Sequence, residues 1–337
     1  MTDGHCLPMP SVFRTRSWVQ AWIDTWGKHP GVELIDLGGR RDPLEILYRT
    51  TIKLKRWLPA KTLCLAGTGA GAIHTPRSEY NHMNELMQQC GGEEGLRNAL
   101  TTLSWSQFIL PDILIEAPCY EKIRSLSKAT RWPLYIERDE PAYCIESPSF
   151  KAYCDGLSGS TRRRYFHQRQ RLESQSGFLA ERWPQDRIEP FIHALNQLHI
   201  SRWGKPCYSP DSIRFLLQFT ASLEDEGGTI VLDVLKLEGV IVSVLFDIIW
   251  KGTRYNLQSG YVTSGTTGLS LGALHLGYGI EEAVKSGQRY DCLAGQGKHT
   301  DYKRHIANKK HRLQTVILQK PSIATLRTLN SLFSTGK

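Results

Sequence analysis

Three successive stretches in the last third of the chain carry the residue types of buried strands: Thr229 to Leu237, Val240 to Trp250 and Thr253 to Val262. Each is rich in Val, Ile, Leu and aromatic residues, and Glu238-Gly239 and Lys251-Gly252 separate them as tight turns. An uncharged run of Thr, Ser and Gly over 263–268 follows. The period then changes: Leu269, Ala273, Leu276, Ile280, Ala283 and Val284 recur at helical spacing, and Gly287 is placed to stop the helix. Tyr290 to Leu293 reads as a short buried strand ending in Gly295-Gln296-Gly297, so the unit is strand, small-residue loop, helix, strand.

The earlier part of the chain mixes the same periods. A helix over Ser17 to Gly27 puts Trp18, Trp22 and Trp26 on one face as core anchors. Gly31 to Thr51 reads as a hairpin, and Leu63-Cys64-Leu65 as a strand with a Gly-rich exit. Helices are expected over Asn81 to Gln89, Glu93 to Leu100 and Tyr120 to Thr130, and strands over Phe108 to Glu116 and Trp132 to Ile136. The segment from Pro141 to Ser160 reads as a boundary, giving domains 1–150 and 151–325. A basic helix, Thr161 to Leu172, then carries five arginines, and helices follow over Arg187 to Trp203 and Pro210 to Asp225. His311 to Gln319 supplies a last strand. The fold class is α/β (α+β), with a mostly antiparallel sheet expected in each half.

Composition narrows this little. The chain has 337 residues, 40% hydrophobic and 22% charged, ordinary values for two globular domains. No apolar run has the length of a membrane span and Met1 to Arg16 lacks a signal-peptide core, so a cytoplasmic location is expected, with peripheral membrane contact left open. Eight cysteines stand singly without a CxxC pair, which argues against a zinc ribbon, a redox dithiol or a disulfide framework. His5, His29, His74 and His82 lack ligand spacing, so no metal is expected. The net charge of +9 favours anionic partners without choosing among them.

The loop before the late helix is where chemistry is expected. A helix start leaves N–H groups unpaired and carries the positive end of the helix dipole, and small residues let a pyrophosphate approach. Gly265, Thr266, Thr267, Gly268, Leu269 and Ser270 are the candidate cofactor-binding residues. The same residues also read as an ordinary turn with Thr267 or Ser270 as N-cap. The arginines of the basic helix, interleaved with Tyr165 and Phe166, form either a phosphate grip or a solvated face.

Leu198-His199, Ser201-Arg202-Trp203, Gln258 to Tyr261, Leu269 to Gly272, Tyr290 to Gly295 and Tyr302-Lys303 resemble the GNAT acetyltransferases found beside cellulose and exopolysaccharide biosynthesis genes. These are similar in turn to FemAB-type aminoacyl transferases, which carry two GNAT-like domains in tandem. The resemblance covers residues 150–320 well and 10–150 loosely. It implies tandem GNAT-like domains with mixed, mostly antiparallel sheets and transfer from acyl-CoA to a small amine acceptor, such as an amino sugar or envelope precursor. Backbone N–H groups near Tyr261 and Val262 would hold the acyl carbonyl, Tyr302 would protonate the thiolate, and His199 would take the acceptor proton; Asp291 would orient a base or the acceptor, or equally cap a neighbouring turn as a strand-end carboxylate. Lys303, Arg202, Trp203 and Gln258 would bind the acceptor. Gly265 stands where the family has Gln or Arg in its phosphate loop, which keeps two alternatives open: a FemAB-type enzyme using charged tRNA, and a non-catalytic binding protein of polysaccharide assembly.

Overall fold

The computed structural model describes residues 11–37, 39, 42–54, 58–263, 268–295 and 301–321. The expected loop residues Gly265, Thr266 and Thr267 lie outside them. In chain order the elements are α1 (Arg16–Trp26), β1 (Glu33–Asp36), β2 (Ile46–Leu54), β3 (Leu58–Leu65), α2 (Asn84–Gln89) and α3 (Glu93–Thr102). Next come β4 (Gln107–Leu114), α4 (Pro118–Thr130), β5 (Leu134–Ile145), α5 (Phe150–Asp155), α6 (Gly159–Arg162) and α7 (Arg169–Glu173). Then follow β6 (Leu179–Trp183), α8 (Ile188–Trp203), α9 (Pro210–Ser222), β7 (Thr229–Leu237), β8 (Val240–Trp250) and β9 (Thr253–Tyr261). The chain continues with α10 (Leu271–Lys285), β10 (Arg289–Ala294), α11 (Lys303–Ile306) and β11 (Lys309–Gln319).

Two compact units result. The first runs to Glu140 and takes back the chain from Arg312 onward; the second is Pro141–His311. The division falls at the first residue of the expected boundary segment, Pro141 to Ser160, and most of β11, expected in the second domain, belongs to the first unit.

Each unit repeats one order. In the first, β1, β2 and β3 are successive antiparallel neighbours, and a crossover through α2 and α3 lays β4 parallel to β3. In the second, β6, β7, β8 and β9 are antiparallel neighbours, and a crossover through α10 lays β10 parallel to β9. Mixed, mostly antiparallel pairing in each unit is as expected. β5 is more than twice as long as Trp132 to Ile136 suggests and runs on through Pro141 to Ile145. Pro141, expected to open the boundary segment, lies inside this strand; proline is tolerated in a strand where its missing N–H is not needed.

The first unit's core joins Leu63, Phe108, Leu110, Ile113 and Ile123 with Val316 and Leu318 of β11. Trp18, Trp22 and Trp26 are all buried, as anchors, with Trp18 Nε1 donating to the Gly67 carbonyl at 2.9 Å. In the second unit α10 packs Ala273, Leu276, Ile280 and Val284 against Tyr165, Tyr290 and Ile145.

The expected single basic helix is broken. Gly159–Arg162 is helical, Arg163–His167 is a π-helical turn, and Arg169–Glu173 is helical again. That turn lies so close to α10 that a Cβ at Gly277 would sit 2.1 Å from the Tyr165 carbonyl oxygen. Such contacts, invisible in the local arginine pattern, set where the helix turns. The edge strand β6 was not expected at all, because Glu181 and Arg182 hide its short alternation.

Candidate active site

The site is built where two parallel strands part. β9 and β10 pair only at Thr253, Arg254 and Tyr255 against Arg289, Tyr290 and Asp291. Beyond that, β9 runs on to Tyr261, while β10 shifts register between Asp291 and Ala294 against β5. The parting has a local cause. Leu293 adopts φ +62°, costly for a branched side chain, and its N–H donates to Asp291 Oδ1 at 2.8 Å. Asp291 is fully buried and shapes this turn. Lys303 is buried too, its Nζ donating to the carbonyls of Leu293 at 3.1 Å and Ala294 at 2.7 Å. Asp291 thus takes the turn-capping place that was one of its two expected roles, and Lys303, expected to bind the acceptor, bonds the end of β10.

Below the parting, a buried ionic cluster fixes the strands. Arg254 on β9 is fully buried; its Nε donates to Asp247 at 2.6 Å, Nη1 to Glu282 at 2.7 Å and Nη2 to Asp233 at 2.9 Å. Asn256 and Tyr290 donate to the same Asp247 carboxylate, at 2.8 and 3.1 Å. The cluster ties β7, β8, β9, β10 and α10 together, and no sequence reading singled it out.

At the open end of β9 the ladder geometry decides which amide is free for chemistry. Val262 N–H donates to the Val242 carbonyl at 3.0 Å. Of the two expected oxyanion donors, Val262 is therefore spent. In an antiparallel ladder alternate residues point their N–H groups to opposite edges, so Tyr261, paired with Ser243, directs its N–H away from β8, to the side β10 has left.

Three elements converge on this strand end. From α8, a half-buried His199 places Nε2 3.0 Å from the Ser259 carbonyl. A carbonyl only accepts, so in the neutral ring Nε2 carries the hydrogen and Nδ1 the lone pair. Burial holds the His199 pKa below its usual value of 6.5, the Ser259 bond opposes this, and the nearby Arg202 charge adds to it. Arg202, one helical turn on, lies over Tyr261 with 4.4 Å from Cζ to the ring centroid, and over Trp203 at 4.6 Å. From α10, Gly272 meets the Tyr261 ring so closely that a Cβ would lie 2.3 Å from it. From β8, Ser243 Oγ donates to the Gly260 carbonyl at 3.3 Å and is 2.8 Å from His275 Nδ1. Gln258 turns back on its own chain, accepting from Ser259 N–H at 3.1 Å.

The start of α10 fits a pyrophosphate. Its first intrahelical bond is Leu274 N–H to Ser270 O, and Ser270 supplies no side-chain cap, so the first-turn N–H groups lack acceptors within the helix. Arg164 brings Nε and Nη2 to 3.4 Å from Ser270 Oγ. Gly268 has φ +61° and open space where a Cβ would stand, while Leu269 packs toward the Leu271–Leu274 cluster. The sequence reading kept the small-residue loop and the basic segment as rival anion sites, and the fold places Arg164 at the loop's end. Tyr302 precedes α11 and is half-buried against the cluster holding Cys292 and Ile306.

Residues 159–304 match the family described as acetyltransferase (GNAT) domain. No curated protein matches. Among solved structures, FemX is similar with a TM-score of 0.55 at 10% identity, covering 94% of this chain and 98% of that one. A conserved protein of unknown function from Bacteroides thetaiotaomicron VPI-5482 gives a TM-score of 0.51 at 10% identity, covering 91% and 90%. A tandem GNAT protein from the clavulanic acid biosynthesis pathway gives 0.43 at 10% identity, covering 86% and 84%. Residues 159–304, within the second unit, thus match a GNAT acyltransferase domain, and the fold of the chain is similar to that of FemX. Among the described residues no helix is long and apolar enough to cross a membrane, and no group of three or more His, Cys, Asp or Glu is placed to hold a metal ion.

Proposed function

We propose that the second unit transfers an acyl group from acyl-CoA to the nitrogen of a small amine. One observation carries this reading: β9 and β10 part beside the start of α10, where Ser270 gives no side-chain cap, and the Tyr261 N–H is directed away from β8. The thioester carbonyl accepts from that N–H, which stabilises the oxyanion as the amine adds. His199 Nδ1 takes the ammonium proton, and Tyr302 delivers a proton to the departing thiolate. The CoA pyrophosphate takes the first-turn N–H groups of α10 and the Arg164 guanidinium. Asp291 and Lys303 position the β10 lip without touching substrate. An amino sugar or other envelope or exopolysaccharide precursor is the acceptor class we favour, in the cytoplasm. Calorimetry with CoA and a thiol-release assay with acetyl-CoA test the reading; no CoA heat and no acetyl transfer to any amine would overturn it.

A second reading has its own observation. Three arginines, Arg162, Arg163 and Arg171, line a cavity of about 480 Å³ together with Gly159, His167 and Gln168. A FemAB-type enzyme would hold charged tRNA there. Neutralising several phosphates makes binding fall steeply with salt, whereas CoA carries few charges. A filter assay with charged tRNA at two salt concentrations separates the two. Silence in both assays leaves the non-catalytic role in polysaccharide assembly.

A further inference from the structure

We propose that Arg202 recognises a carboxylate on the acceptor, so that the amine acylated at this site, among the precursors named above, is one that also bears an acid group, as an acidic amino sugar or an amino acid does; this rests on the acyl-transfer reading above. Arg202 Cζ lies 4.4 Å from the Tyr261 ring centroid and 4.6 Å from that of Trp203. Two aromatic rings thus engage the guanidinium through cation–π contact, which leaves its N–H edge for hydrogen bonding. No carboxylate pairs with it among the described residues, and the internal segments 264–267 and 296–300 contain no Asp or Glu. Most other arginines around this unit's core are spent: Arg169 on Glu281, Arg182 on Asp233 and Glu282, Arg254 on Asp247. A half-buried, pre-positioned guanidinium without an anion suits bidentate capture of a carboxylate.

Its neighbour defines what else the ligand carries. His199 and Arg202 stand three residues apart on α8 and so share a face. The Nδ1 lone pair of His199 meets an ammonium, and the Arg202 edge meets an acid. An amine and a carboxylate on one small molecule satisfy both. The CoA phosphates have a separate place at the start of α10, where Arg164 lies.

The full chain with acetyl-CoA is assayed by thiol release against glycine and L-alanine, each beside its amide. Glycinamide and L-alaninamide keep the amine and lose the acid. The acids are expected to exceed the amides in kcat/KM by about 30-fold, the weight of one charge-assisted bidentate pair. Arg202→Gln should raise KM for the acids by a similar factor, leave the amides and CoA affinity unchanged, and keep kcat; Arg202→Lys should recover part of the preference. A parallel measurement follows the His199 ring by NMR during glycine and glycinamide titrations without donor. Glycine should shift the ring signals in wild type, and neither ligand should do so in Arg202→Gln. A ring response to glycine that depends on Arg202, with no acyl transfer to any acceptor, keeps the carboxylate site and removes the acyl-transfer reading. Amides used as well as acids, a loss of CoA rather than acceptor affinity in Arg202→Gln, or no ring response to glycine in an otherwise active enzyme would each overturn the proposal. So would silence in both the transfer and the ring measurements.

Discussion

The Arg164 guanidinium lies 3.4 Å from Ser270 Oγ, across 106 residues of chain. One residue of the basic segment therefore stands at the helix start where a pyrophosphate would bind. Arg164→Gln is expected to weaken CoA about tenfold, the weight of one exposed charge-assisted hydrogen bond. Calorimetry at low and moderate salt checks it; an unchanged Kd would place the phosphates elsewhere.

Gly268 tests the same loop by backbone conformation. Its φ is +61°, and a Cβ there would meet nothing within 4 Å, so a side chain strains the chain rather than blocking the ligand. Gly268→Val should cost roughly 1–2 kcal/mol at that residue and distort the loop, whereas Gly268→Asn, at ease in the left-handed region, should bind CoA nearly as well. Equal loss in both variants would point to side-chain crowding instead.

The buried ionic cluster should be unforgiving of half-removal. Arg254→Met leaves Asp247 fully buried without its main counter-charge. An expected loss of about 3–5 kcal/mol follows, read from urea unfolding of the purified chain. A loss below about 1 kcal/mol would mean that the burial of Asp247 is relieved in some other way.

His275 supplies a pH signature. Burial pushes its pKa from 6.5 down to about 4. The folded protein then binds fewer protons than the unfolded chain between those values, so this contribution is full above pH 6.5 and is lost as pH falls toward 4. The loss amounts to about 3 kcal/mol. Denaturation of wild type and His275→Gln at pH 7 and 4.5 isolates it, since only the wild type should show this component.

Tyr302→Phe removes the proposed donor to the thiolate. Turnover should drop by roughly two to four orders of magnitude with CoA affinity unchanged. Unchanged turnover in a folded variant would take Tyr302 out of the mechanism.

Several parts of the molecule were legible along the chain. The turns Glu238-Gly239 and Lys251-Gly252 fix the β7-β8-β9 meander, because each places positive-φ residues between runs of β-formers. The helical period from Leu269 to Val284 fixes α10, and Trp18, Trp22 and Trp26 at one-turn spacing fix the buried face of α1. Such features depend on neighbours in sequence, whose spacing alone decides which face is apolar.

Tertiary structure decided the roles. Lys303 and Asp291 look like reactive groups in a string of letters, yet burial turns both toward the backbone of β10. Val262 and Tyr261 are adjacent in sequence, and only pairing with β8 shows which N–H is spent. Arg202 gained its place from Tyr261, and Arg164 from Ser270, contacts that close long loops of chain and leave no periodic trace. The sequence by itself determined which segments become strands and helices, because local spacing and turn chemistry act within a few residues. Which polar groups remain open to a substrate is settled only when distant segments compete for the same hydrogen bonds and charges, and that competition exists only in the folded chain.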